Sequence, residues 1–215
     1  MAVAHNPHKI NMHSLLSLGD SYTIGEGVPL YQSYPYQTVQ LLRSAGHPFH
    51  APEIIARTGW TTDELAHTLT SVRLLPCYDY VSLLIGVNNQ YRGRDPQEYG
   101  GQFGQLLQRA LHLTGAAARV FVLSIPDWGY SPFAATRDKA LISGEIDAFN
   151  ATAEAITQQQ KVRFIDITGH SRQQGASPES FVVDGLHPAA ATYRWWAQQL
   201  ADVIGATLPR QMEVD

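Results

Sequence analysis

The chain has one cysteine, Cys77, among its 215 residues, so no internal disulfide can form; this fits a reducing compartment. It has no surplus of positive charge, since 15 Lys and Arg face 19 Asp and Glu, a formal net charge of −4. With no Lys/Arg-rich run either, a nucleic-acid partner is not expected. Long hydrophobic runs are missing as well. Apolar stretches stop at about six residues, far short of the roughly 20 that cross a bilayer, so no membrane span is expected. Residues 1–13 lack the apolar centre and small-residue cleavage site of a signal peptide, which points to a cytoplasmic protein. His5, His8 and His13 follow no ligand spacing, and no His/Asp cluster suits a metal, so no metal is expected. No internal repeat, low-complexity tract or linker is present.

What remains is an ordinary globular composition, 44% hydrophobic and 16% charged, long enough to bury a continuous core. The expected organisation is one domain over 14–208, with polar tails over 1–13 and 209–215. Short apolar runs over 14–18, 53–56, 80–85, 120–124 and 162–165 read as strands. Each is followed by helical spacing: Tyr36, Val39 and Leu42; Leu65, Leu69 and Val72; Tyr99, Phe103 and Leu107; Ile142, Ile146 and Phe149; Tyr193, Trp196 and Leu200. Thr61 or Thr62 suits the second helix as its N-cap. The third helix carries Gly100, Gly101 and Gly104 in its early turns, which weakens its pattern there. Strand and helix thus alternate five times, which predicts an α/β fold: a parallel sheet, order 2-1-3-4-5, with helices on both faces.

The stretch Gly19-Asp20-Ser21-Tyr22 follows the first run, where a buried strand breaks into a loop and can hold a serine hydroxyl open to a substrate. A serine beside glycines is also an ordinary turn residue. Other strand ends carry complementary chemistry. Gly59 follows the second strand, Asn88 the third, and Asp184 and His187 the loop after the fifth. In an open parallel sheet these ends share one edge, where ligands bind. Pro188 starts a helix in this reading and pushes His187 toward extended backbone. Asp184 can then accept from one ring nitrogen and leave the other basic. Asp184 can equally serve as a helix cap, and Gly59 and Asn88 as turn and loop residues. Trp60, the turn over 28–31, and the loop bearing Trp128, Tyr130 and Phe133 also sit at strand ends, and are expected to wall the crevice beside Tyr22.

These residues resemble, in order, the sequence blocks of the SGNH hydrolases, also called GDSL-type esterases and lipases. Gly19-Asp20-Ser21 is similar to the first block, with Tyr22 where the name-giving motif has leucine. Gly59 falls at the glycine of the second. Gly86-Val87-Asn88-Asn89 resembles the third, which more often reads Gly-x-Asn-Asp, and Asp184-Gly185-Leu186-His187 matches the Asp-x-x-His of the fifth. The resemblance implies a flavodoxin-like three-layer α/β/α sandwich that hydrolyses carboxylic esters without a cofactor, the substrate expected being a small or medium acyl ester of acetyl, aryl or lysophospholipid type. It implies Ser21 as nucleophile, His187 as base and Asp184 as its orienting acid. The Ser21 N–H, the Gly59 N–H and the Asn88 side chain would form the oxyanion hole. A thioesterase or a carbohydrate deacetylase on the same site remains an alternative.

Rival readings find less in the chain. A nucleotide-binding doubly wound domain would need a third glycine after Gly25 and Gly27, where Pro29 and Glu26 are both unfavourable, and no Walker-type Gly-Lys-Ser/Thr occurs. A non-catalytic carbohydrate- or lipid-binding module would be favoured by loss of Ser21, Asp184 or His187, and all three are present. An α/β-hydrolase would place its serine in Gly-x-Ser-x-Gly.

Overall fold

The computed structural model describes residues 12–175 and 177–209. The expectations about His5 and His8, about residue 11 and below, and about 210–215 lie outside the described residues. Five parallel strands form one sheet: β1 (Leu15–Asp20), β2 (Glu53–Arg57), β3 (Tyr80–Leu84), β4 (Val120–Leu123) and β5 (Arg163–Ile165), in the order β2-β1-β3-β4-β5. The expected strand order and α/β architecture are borne out. His13 already pairs beside Phe49, giving its N–H to the Pro48 carbonyl at 2.8 Å. Among the described residues, hydrogen bonding to the domain is thus already present just before the first strand.

Handedness decides where the helices go. The crossover from β1 to β2 runs toward one edge of the sheet, and every later crossover runs the other way. With right-handed crossovers, the helix between β1 and β2 and those between the later strands must cover opposite faces, while the helix after β5 connects no strands and can take either. α2 (Tyr34–Ser44) and the last helix, α8 (Ala190–Gly205), pack together on one face. On the other face α3 (Thr62–Ser71), α5 (Pro96–Thr114) and α6 (Lys139–Gln159) lie side by side. Thr61 caps α3, with Glu64 reaching back to its N–H at 2.9 Å, a capping box. Of the three glycines in α5, Gly100 is the one that α6 crowds: a Cβ there would sit 2.9 Å from the Thr152 methyl, whereas Gly101 and Gly104 have room for one.

The central strands are buried on both faces, as their unbroken apolar runs predict. Each nonetheless carries a serine, Ser17 and Ser82. The two are in register and bond to each other at 2.8 Å, so neither hydroxyl is left unpaired in the core. Among the described residues no helix is long and apolar enough to cross a membrane.

The structure corrects the reading in four places, all near the sheet's carboxyl edge. β1 continues through Gly19 and Asp20, so Ser21 does not sit in a loop but opens a one-turn helix, α1 (Ser21–Ile24). Asn88 lies not in a loop but on a second short helix, α4 (Val87–Tyr91). The segment after β5 holds a third, α7 (Thr168–Gln174). Pro188 does not start the last helix, because α8 begins at Ala190 and Pro188 bridges back to Phe181.

Candidate active site

β1 ends at Gly19 and Asp20 under tight constraint. A Cβ on Gly19 would lie 2.1 Å from the Thr23 hydroxyl and 2.3 Å from the Leu84 carbonyl, so only glycine lets α1 fold back over β3. Asp20 caps α1, its carboxylate accepting the Tyr22 N–H at 3.0 Å. The Ser21 N–H, first in that helix, is one of those a helix leaves without an internal partner. The other carboxyl oxygen of Asp20 has no partner among the described residues, and the residue is 0% exposed. Desolvation pushes this carboxyl up to about 7, against the pull of the Tyr22 N–H.

Two residues past β3 stands Gly86, at the start of α4; its φ of 132° is one that L side chains rarely adopt, and a Cβ there would meet the Tyr99 ring at 2.6 Å. The chain then turns into α4, which presents Asn88 beside Ser21. The Asn88 amide gives one N–H to the Trp60 carbonyl at 2.9 Å, tying α4 to the loop after β2. Gly59, in that loop, has φ of 83°. Its carbonyl accepts from Arg92 at 2.6 Å, and its N–H donates to no acceptor among the described residues. Asn89 is fully buried behind Asn88. It accepts the Thr62 N–H at 3.1 Å and donates to the Thr62 hydroxyl at 2.7 Å.

The turn over 184–187 is built by one carboxylate. Asp184 accepts the Leu186 N–H at 2.8 Å and the His187 N–H at 2.9 Å on one oxygen. Its other oxygen meets Nδ1 of His187 at 2.6 Å. Desolvation works against the charged form, but the His187 ring and the two N–H donors outweigh it and hold the carboxyl below its usual range. Asp184 therefore caps this turn, not a helix, while also engaging the imidazole. With Nδ1 engaged, Nε2 is the free nitrogen.

Ser21, Asn88 and His187 line one cavity of about 200 Å³, together with Tyr22, Val87, Tyr91, Trp128, Phe133 and Leu186. Ser21 is 5% exposed and His187 8%, so both are reached through this cavity. The Tyr22 ring packs against the imidazole with centroids 5.5 Å apart, and Trp196 supports it from behind at 5.9 Å. Trp128 is held by its indole N–H, which donates to Gln90 at 2.7 Å. Not every expected wall residue is there. Trp60 packs against the core and Tyr130 lies under the Lys139 ammonium at 3.3 Å, and neither borders the cavity. The turn over 28–31 does not border it either. Val87, Tyr91 and Leu186 were missed. Leu186 stands inside the Asp-x-x-His block and Val87 inside Gly86-Val87-Asn88-Asn89, but Tyr91 depends on α4, which no periodicity announces.

Three polar groups from three strand ends thus meet in an apolar pocket, an arrangement suited to acyl transfer. The sequence matches the GDSL-like lipase/acylhydrolase family over residues 17–195. No curated relative matches it. The fold is similar to a lipase/acylhydrolase from Enterococcus faecalis at 19% identity, covering 94% of this chain and 100% of that one, TM-score 0.71. It is also similar to TesA, at 19% identity, 91% and 99% coverage and TM-score 0.70. A third likeness is to Axe2, an acetylxylan esterase from Geobacillus stearothermophilus, at 18% identity, 92% and 96% coverage and TM-score 0.68. Because the family match runs from within β1 to within α8 and takes in all five strands, the chain belongs to the GDSL-like lipase/acylhydrolase family.

Proposed function

We propose that this hydrolase is a serine esterase acting on small carboxylic esters. The observation that carries the reading is the Asp184–His187 contact of 2.6 Å, on a cavity that Ser21 shares. Asp184 fixes the imidazole with its Nδ1 proton spoken for, so Nε2 serves as the base. Ser21 Oγ attacks the acyl carbon while Nε2 takes its proton, and the carbonyl electrons move onto oxygen. That oxyanion is met by the Ser21 N–H, the uncommitted N–H of the Asn88 amide and the Gly59 N–H. On collapse the alkoxide leaves with the proton from His187, and the acyl group stays on Ser21. Water, deprotonated by His187, then releases the carboxylic acid by the same route.

The cavity's size bears on the substrate. At about 200 Å³ it is below the roughly 300 Å³ at which drug-sized pockets begin, so a short acyl group or a small aryl ester fits inside it. Assay of p-nitrophenyl esters from acetate to palmitate tests both points. The short esters are expected to be turned over best, and Ser21→Ala and His187→Ala each to lower turnover at least ~10³-fold. Retained activity in a folded Ser21→Ala protein rules the mechanism out.

A further inference from the structure

Three of the rings that line the cavity, Tyr91, Trp128 and Phe133, share a neighbour outside it. The Arg137 guanidinium carbon lies over all three, at 5.4, 5.4 and 5.3 Å from their centroids. Its Nη2 donates to the Tyr91 hydroxyl at 3.3 Å, and no carboxylate pairs with it among the described residues. Arg57, at the end of β2, has no carboxylate partner among the described residues either, but it lies over no ring of the cavity wall; the arginines nearer the wall are paired. Arg92 pairs with Glu64, Arg94 with Asp63, and Arg172 with Asp127 and Asp147. The carboxylates of the region are likewise engaged. Asp184 is held by His187, Asp127 by Arg172 and Ser143, and Glu145 by Gln90. One exposed guanidinium at the edge of the aromatic wall therefore keeps most of its five N–H donors unspent, within cation–π distance of three rings.

We propose that Arg137 is a specificity-determining residue that binds an anionic group, carboxylate or phosphate, on the part of the substrate lying along Tyr91, Trp128 and Phe133. This rests on the esterase reading above and narrows it to esters carrying a negative charge away from the scissile bond. A guanidinium suits the role because its fork donates to two anionic oxygens at once, and the three rings around it favour the cation. Arg137 touches none of the reacting atoms, so its contribution belongs in KM and not in kcat.

The test compares the acetyl esters of 4-hydroxybenzoate and 4-hydroxyphenyl phosphate with that of the uncharged 4-hydroxybenzamide. The readout is the ratio of kcat/KM for each anionic ester to that for the neutral one, which cancels any general loosening of the rings. In Arg137→Gln this ratio is expected to fall at least about tenfold through KM, as loss of a charged hydrogen bond implies. Arg137→Lys should retain part of it, and added salt should depress the wild-type ratio but not that of Arg137→Gln. Whichever anion loses more on substitution identifies the natural group. An unchanged ratio in Arg137→Gln overturns the proposal and leaves the arginine as a brace for three rings. Tryptophan-fluorescence titration with benzoate, phenyl phosphate and benzamide repeats the comparison without turnover. If no ester is hydrolysed, the esterase reading fails, and the titration still decides whether Arg137 selects anions.

Discussion

Asp20 holds a carboxyl group in full burial one residue from Ser21, with one oxygen bonded to the Tyr22 N–H and the other unpartnered among the described residues. Its carboxyl is pushed from the ordinary 3.8 up to about 7, with desolvation as the cause. The folded state therefore holds the proton more tightly than the unfolded chain does. Below the unfolded value both states are protonated and the fold keeps its full stability. As pH rises toward the folded value the unfolded chain gives up its proton first, and stability falls; above about 7 the loss is complete. From 3.8 to about 7, at about 1.4 kcal/mol per tenfold change in proton affinity, the loss is roughly 4 kcal/mol. Asparagine is as good an N-cap and carries no charge. Asp20→Asn is thus expected to flatten the fall in urea midpoint across this window and to be the more stable protein above neutrality. Equal slopes for the two proteins contradict this account. No feature of the sequence announces the effect, since Asp20 in Gly-Asp-Ser reads as a polar turn residue until β1 is seen to run through it.

At the scale of elements, the long helices and the strands were legible, and the short helices were not. α5, α6 and α8 present an apolar stripe over several turns. α4 has five residues and α7 seven, too few to show a period and too few to be stable without tertiary contacts. α4 is held by Asn88 on Trp60, by Gln90 on Glu145 and Trp128, and, in full burial, by the two bonds of Asn89 to Thr62. The family's third block more often has aspartate at this place. Here the Thr62 hydroxyl already donates to Gln102, so it can only accept from residue 89, and an amide satisfies it where a carboxylate cannot. Asn89→Asp is expected to cost about 1–3 kcal/mol in denaturation experiments, as for a buried group left unpaired, and more as pH rises and the new carboxyl ionises. A variant as stable as the wild type at every pH contradicts this role for the amide. Pro188 shows the opposite error. Its ring was read as a helix start, but its strand-like partner Phe181 lies seven residues earlier and leaves no local signal.

For the whole molecule, alternation of strand and helix was enough to predict the sheet order, because right-handed crossovers leave few alternatives. The order reverses at β1, so the segments leaving the paired ends of β1 and β3 run to opposite faces of the sheet and leave between them the crevice that Ser21 and Asn88 share. That is why residues far apart in sequence could be grouped before any coordinates. The walls of the cavity were only half legible. Trp128 and Phe133 lie in a loop recognisable by its aromatics, whereas Trp60 and Tyr130 point elsewhere for reasons of packing that spacing does not carry.

The central claim is that Ser21 forms the acyl bond with His187 as its base. Intact-mass spectrometry after exposure to a fluorophosphonate tests it most directly. The protein is expected to gain a single adduct, mapped by peptide fragmentation to Ser21, with none in Ser21→Ala and slow labelling in His187→Ala. An adduct on another residue, or equal labelling of Ser21→Ala, contradicts the claim.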